Sequence, residues 1–278
     1  MRNKKIWKKK RLAWNPKSKD AKTYSGVYVY ALRTELLKRV IANCGTLVDE
    51  MRLVLTKKGW TFKVVDPAHV AMGEGALTKD HFTVMARVKK DVEVGLDLIK
   101  LRDACKGFPN STRRAESVTN VTFDMDSFAC FVSCGRYWHR LDLLDVSELA
   151  DPKIPNLKLE TFYTTAAELK DMLKGAVWED YVRFETVGSE IVFTNGHVQS
   201  KLISENTSVI TGDMYKYPLG LSCDKELASL YSLSYISMLI KTLSGTVQFE
   251  LGTDYPLRMS MAEPFGWTVL LAPRIEGD

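Results

Sequence analysis

From Val27 onward the chain alternates between two hydrophobic periods. VYVYAL reads as a strand, and after Thr34, placed as an N-cap, TELLKRVIANCGTLV sets Leu37, Val40, Ile41 and Cys44 on one helical face. EMRLVLT and WTFKVVD then alternate at period two on either side of a turn at Lys57, Lys58 and Gly59. DPAHVAMGEGAL, FTVMARV and VEVGLD follow, and LIKLRDACKG is a second short helix closed by Gly107. Beyond the loop PNSTRRAES come three more strands, VTNVTFDMD, SFACFVSC and RYWHRLDLLD.

The pattern then breaks and restarts. VSELADPKIPNLKL contains two prolines and no period long enough for an element, so it reads as a connector. LETFYTT is again a strand, AAELKDMLKGAVW a helix, and DYVRFETV, EIVFTNG and HVQSKLISE three strands, with SYISMLIKTLSG as the last helix. In the closing strands Phe249, Leu251, Leu257 and Met259 alternate with polar neighbours, Glu263 to Gly266 punctuate, and Trp267 to Leu271 form the last strand. Pro273 lacks a backbone donor and ends that ladder, leaving Arg274, Ile275 and Glu276 extended. The recurrence of element order, more than the short echo of LLKR (36–39) in ELKD (168–171), argues for a duplicated domain rather than a solenoid. The expected organisation is an extension over 1–26, a domain over 27–144, a connector over 145–158 and a second domain over 159–278.

Charge sharpens this division. Of 39 Lys and Arg, ten fall within residues 1–24 beside one acid, Asp20, a local balance of +9; the remainder holds 29 bases against 33 acids, or −4. The extension reads either as a phosphate-holding arm with Trp7 and Trp14 free to stack, or as a solvated tail. The body is mildly acidic, so contact with nucleic acid requires its bases to be gathered on one surface. No run reaches the roughly 18 apolar residues of a membrane span, and the N-terminus is too charged for a secretory segment, which together imply a cytoplasmic protein. Cys44, Cys105, Cys130, Cys134 and Cys223 lack paired CxxC spacing and read as buried reduced thiols.

Four segments carry a resemblance: GTLVDEM after the first helix, DPAHVAM, LGTDYPLRM and the terminal LLAPRIE. In this order, around a proline-containing connector, they resemble the PCNA (proliferating cell nuclear antigen) family of DNA polymerase sliding clamps, closest to its archaeal members, from about Val27 to Glu276. The resemblance implies an α+β DNA-clamp fold: two similar domains per chain, antiparallel sheets outside, helices inside, and a ring of three subunits around duplex DNA. It implies DNA replication and repair in an archaeal-type cell, and as partners DNA polymerase, a clamp loader, flap endonuclease and ligase, recruited through short client peptides. No cofactor and no metal are implied. A specialised paralogue filling one place in a heterotrimeric ring is the alternative within the family.

Carried onto this chain, the resemblance sets Lys38, Arg39, Lys100, Arg102, Lys106, Lys170, Lys174 and Lys241 toward DNA. Lys170 and Lys174, four apart, share a helix face. Gly45, Asp103 and Asp171 stand where some relatives carry a base. A client groove is implied between His69, Val70 and Met72, the connector residues Leu149, Ile154, Pro155 and Leu157, and Pro256, Leu270, Ala272 and Pro273, with Ile275 and the backbone near Arg274 pairing with the client like a strand. Ile154 and Leu157 are expected to be exposed, as a docking surface would be, the alternative being that they pack on their own sheet. Subunits are expected to join through the strand near 136–143 of one chain and that near 199–205 of the next.

Other chemistry finds little support. No HExxH, GxSxG or GxxxxGK motif occurs. Asp124 and Asp126 alternate on a strand, so both carboxylates are expected to point the same way; a metal-dependent nucleic-acid enzyme built on them is the third reading, against that of an outward acidic face.

Overall fold

The computed structural model describes residues 26–110, 117–174, 176, 179–187, 190–195, 198–202 and 226–274. Its first half runs β1 (Val27–Arg33), α1 (Thr34–Cys44), β2 (Glu50–Thr56), β3 (Gly59–Val65), β4 (Ala71–Thr78), β5 (Phe82–Val84), β6 (Val92–Asp97), α2 (Leu98–Lys106), β7 (Val118–Asp124), β8 (Ala129–Cys134) and β9 (Tyr137–Asp142). The second runs β10 (Glu160–Thr165), α3 (Ala166–Leu173), β11 (Tyr181–Val187), β12 (Glu190–Asn195), β13 (Val198–Leu202), β14 (Ala228–Ser232), α4 (Leu233–Ile240), β15 (Thr246–Leu251), β16 (Leu257–Met261) and β17 (Gly266–Leu271).

Strand order makes the duplication explicit. β1-β7-β8-β9 in the first half matches β10-β15-β16-β17 in the second, and β4-β3-β2-β6 matches β13-β12-β11-β14. Every one of these pairings is antiparallel. The halves are welded where β17 pairs with β4, from Gly266 opposite Ala76 to Leu271 opposite Ala71, giving one eight-stranded sheet, β10-β15-β16-β17-β4-β3-β2-β6. Among the described residues, β9 and β13, the counterparts of β17 and β4, are edges of the five- and four-stranded sheets.

At the weld, Gly73 and Gly75 of β4 make room for aromatic rings. A Cβ on either would come within 3.0 Å of a ring carbon, Trp267 at Gly73 and Phe62 at Gly75. Trp267 also donates from Nε1 to Thr242 Oγ1 at 3.0 Å, and Asn43 at the end of α1 donates to the Thr242 carbonyl at 3.1 Å. The helices of the two halves thus meet over the seam. Each half has its own aromatic cluster, Tyr30, Trp60, Phe82 and Phe123 in one and Phe184, Phe193, Tyr231 and Phe249 in the other.

Several boundaries differ from the pattern-based reading. α1 ends at Cys44 because Gly45 closes back onto Ile41 O, so 45–48 form a turn rather than more helix. Thr34 is its first helical residue, not its cap: the side chain is buried and bonded to Thr119 Oγ1 at 2.8 Å. FTVMARV keeps only the three residues of β5 as strand, and α3 and α4 stop at Leu173 and Ile240. β14 escaped the sequence reading for a physical reason. Its inward positions are Ser229 and Tyr231, whose hydroxyls are satisfied by Gly252 O and Tyr255 O, so the strand buries polar groups and shows no apolar alternation. The basic extension, the loop residues 111–116, Cys223 and the 203–205 part of the expected interface strand lie outside the described residues.

Candidate functional site

Residue parity sorts the eight-stranded sheet into two faces. Met51, Leu53 and Leu55 of β2 and Leu257, Met259 and Met261 of β16 face the buried core, so Arg52 and Arg258 face outward. Register then aligns an outward row Glu250, Arg258, Leu270, Met72 and Val65, and beside it a row Ser260, Thr268, Glu74, Lys63 and Arg52. The first row has an apolar centre. Leu270 lies on this outward face yet is only 3% exposed, so it floors the region rather than presenting itself, a correction to its expected role as a wall.

The connector covers this face by necessity of topology. Leu144 N–H bonds Gly95 O at 3.0 Å at the β6 edge, and the chain re-enters the sheet as β10 at the opposite edge. Between them lies one short 3-10 turn, Val146–Glu148, and no ladder. Arg52 donates through Nη2 to Val146 O at 2.7 Å and Leu149 O at 3.1 Å, with Nη1 3.4 Å from Glu93 and 3.7 Å from Asp151. Arg258 donates to Pro155 O at 3.1 Å and sits 3.6 Å from Glu250. Leu149, Ile154 and Leu157 are half-buried; for Ile154 and Leu157 this is partial packing on the sheet rather than full exposure, and Pro155 is exposed.

The loop 66–71 borders the same floor. Asp66 receives Val70 N–H and Ala71 N–H on Oδ1 at 2.8 and 2.6 Å, and Ala68 N–H and the Tyr235 hydroxyl on Oδ2 at 3.1 and 2.8 Å. Burial pushes this carboxyl up, but the bonds from Ala71, Tyr235, Ala68 and Val70 outweigh it and hold it below the ordinary carboxylate range. The folded loop presents His69, exposed at φ +57°, with Val70 and Met72 half-buried beside it. Ala272 N–H bonds Val70 O at 2.9 Å, and Pro256, Ala272 and Pro273 are half-buried. Arg274 donates its N–H to Leu230 O at 2.7 Å and stacks over Tyr181, so that part of the tail is already paired within the chain. Ile275 lies outside the described residues. Sequence reasoning missed Arg52, Arg258, Asp66 and Tyr235; the arginines have no local signal, because their partners are connector carbonyls far along the chain.

The basic residues sit on the helices as follows. Lys38 and Lys170 each occupy the fifth position of the first helix of their half, and each donates to a carbonyl just past the second helix, Phe108 O at 2.6 Å and Leu243 O at 3.2 Å. Lys100 pairs with Asp97 at 2.8 Å, Arg102 approaches Asp103 at 4.0 Å, and Lys174 pairs with Asp171. Lys106 and Lys241 are exposed at the ends of α2 and α4, and Arg39 is half-buried. At the edge strand β9, Tyr137 and Trp138 are large apolar groups in water, Trp138 at 50% exposure.

Asp124 and Asp126 do not act together. Asp124 ends β7, is 2% exposed and accepts Ser127 N–H at 3.2 Å, whereas Asp126 is exposed in the following turn. Among the described residues no group of three His, Cys, Asp or Glu is placed to hold a metal. Four cysteines are described, all buried and free, and burial pushes the Cys105 thiol up to about 12. No helix among the described residues is long and apolar enough to cross a membrane.

No family model matches the chain. The DNA polymerase sliding clamp of Methanocella arvoryzae is 30% identical over 263 residues, spanning 89% of this chain and 98% of that protein. That of Methanosarcina mazei is 30% identical over 257 residues with the same coverage, and that of Thermoplasma volcanium 29% over 252 residues, covering 86% and 96%. Among solved structures, the A. fulgidus PCNA bound to the C-terminal region of FEN-1 matches with a TM-score of 0.75 at 24% identity, covering 90% of this chain and all of that one. The PCNA of Thermococcus kodakaraensis matches with a TM-score of 0.72 at 19% identity, covering 89% and 100%.

Proposed function

The chain belongs to the DNA polymerase sliding clamp family, and from that premise we propose that three copies close into a ring around duplex DNA. The ring tethers polymerase and other replication and repair enzymes, acts by topology without catalysis, and works in the cytoplasm. Residues 27–144 and 159–278 form its two clamp domains, joined by the connector 145–158. The bases of α1 to α4 face the DNA, and the face crossed by the connector takes client peptides.

One observation carries the ring. β17 and β4 pair within the chain, while their counterparts in the duplication, β9 and β13, are both edges among the described residues. An edge bearing Tyr137 and Trp138 in water invites pairing with another chain. Repeating the β17–β4 pairing between copies joins β9 of one protomer to β13 of the next and abolishes both edges. This junction is heterologous, so it generates a closed ring when the rotation closes. Carrying the β17–β4 register through the duplication sets Trp138 of one protomer opposite Gln199 of the next.

Light scattering on the full chain at several concentrations tests this, together with oxidation of a Trp138→Cys, Gln199→Cys double variant. Cα atoms directly opposite in a ladder lie about 4.5–5.5 Å apart, within disulfide range. A mass of three chains and a covalently closed trimer after oxidation are expected. A persistent mass of one or two chains refutes the self-sufficient ring and directs the search to a different subunit. Client binding is tested by fluorescence anisotropy with a labelled peptide from the C-terminal region of FEN-1, which the wild type is expected to bind and an Ile154→Ser, Leu157→Ser variant to lose.

A further inference from the structure

We propose that Arg52 and Arg258 are positioning residues for client binding: two posts that stretch the connector across the apolar floor of the groove and hold it in the binding geometry. The proposal rests on the client-groove reading above. A connector that crosses a sheet face without joining its ladder has backbone carbonyls in need of donors. Arg52 serves Val146 and Leu149 at one end, and Arg258 serves Pro155 at the other.

The spacing gives the posts their effect. β2 and β16 are separated by β3, β4 and β17, four inter-strand steps or about 19 Å. The two arginines also stand one outward row apart, which brings the span to about 20 Å. From Leu149 to Pro155 the chain advances six residues, a reach of at most about 21 Å when fully extended. With each guanidinium above its own strand the segment has little slack. The three strands between the posts, β17, β4 and β3, bear Leu270, Met72 and Val65, the apolar centre of the outward row.

Each post is itself braced. Glu93 and Asp151 flank the Arg52 guanidinium and Glu250 flanks that of Arg258. Both arginine side chains are only 18% exposed, unusual for a residue whose head normally seeks water. Removing one post leaves the connector attached at a single point, so the fraction of molecules with a formed groove falls and the apparent Kd rises by the same factor. Connector geometry becomes the determinant of client affinity, with the arginines touching no client atom.

The test compares wild type with Arg52→Gln, Arg258→Gln and Arg52→Lys. It reads the Kd of the FEN-1 peptide by anisotropy, amide exchange across 145–158 by mass spectrometry, and ring mass by light scattering. Either glutamine variant should raise Kd about tenfold and speed exchange in the connector alone, with the mass unchanged. Arg52→Lys, which keeps a donor for one carbonyl, should fall between. Unchanged connector exchange, or a Kd within twofold of wild type, overturns the proposal; if Arg52→Gln fails to fold, Arg258→Gln decides. Failure of the groove reading is distinguished separately: the wild type then does not bind the peptide, or the Ile154→Ser, Leu157→Ser variant binds it undiminished, and this proposal falls with it.

Discussion

Replacing Asp66 should unfasten the loop 66–71 from the second half of the chain. Its carboxylate takes four hydrogen bonds, three from backbone N–H groups within five residues and one from Tyr235, which belongs to α4. In Asp66→Ala, the exposed Ala68 N–H turns to water at little cost. Ala71 is fully buried and Val70 partly so, and their donors lose a charged acceptor, as does the Tyr235 hydroxyl. At about 1–1.5 kcal/mol for each of these three, below the full value of a bond to a charged group because the effects overlap, the loss is about 3–5 kcal/mol. Tyr235→Phe should cost about 1 kcal/mol, and little more when added to Asp66→Ala. The carboxyl is held below its ordinary value in the folded protein, so its contribution is complete above the unfolded pKa of about 3.9 and disappears as pH falls through the folded value. The gap between wild type and Asp66→Asn should therefore be flat from pH 7 to 5 and shrink below about pH 4. Urea unfolding at fixed protein concentration measures both. A cost for Asp66→Ala under about 1 kcal/mol, or a gap to Asp66→Asn that is unchanged at pH 3, refutes the reasoning.

Lys170→Ala with Lys174→Ala should lower affinity for linear duplex and flatten its salt dependence, by up to about 0.9 in log–log slope for each phosphate no longer neutralised; a slope equal to that of wild type counts against these lysines facing DNA. Gly75→Ala at the weld drives a methyl into the Phe62 ring with Trp267 close behind, and should cost about 1–3 kcal/mol. That loss is read as a lowered thermal midpoint, and an unchanged midpoint shows that the two rings can yield.

The duplicated order was legible because nearly every strand obeys period two and each half begins with a strand running into an amphipathic helix. The echo of LLKR in ELKD proved meaningful through one residue. Lys38 and Lys170 hold the same helix position and make the same bond to the far end of the companion helix. What the pattern hid were polar residues in buried positions. β14 packs through Ser229 and Tyr231, and Thr34 looks like a cap but is buried against Thr119. The outward floor was hidden differently, since Leu270 and Met72 are adjacent only through the β17–β4 register, a pairing between residues almost two hundred positions apart. Arg52 and Arg258 carry no local signature, because their partners are carbonyls of the connector and only the crossing of that connector brings them together.

The electrostatics of the helices suit a ring that slides. Three of the eight bases have carboxylates beside them, Lys100 with Asp97, Arg102 with Asp103 and Lys174 with Asp171, and the basic members of these pairs are well exposed, where water and salt keep such pairs weak. Two more, Lys38 and Lys170, rest on carbonyls just past α2 and α4, where a cation also offsets the negative end of the helix dipole. On the proposed DNA-facing reading, each of these five would exchange its internal partner for a phosphate at small net cost, and attraction would be spread over several positions. In the proposed ring, retention of DNA would therefore depend on closure at the β9–β13 junction far more than on any one lysine.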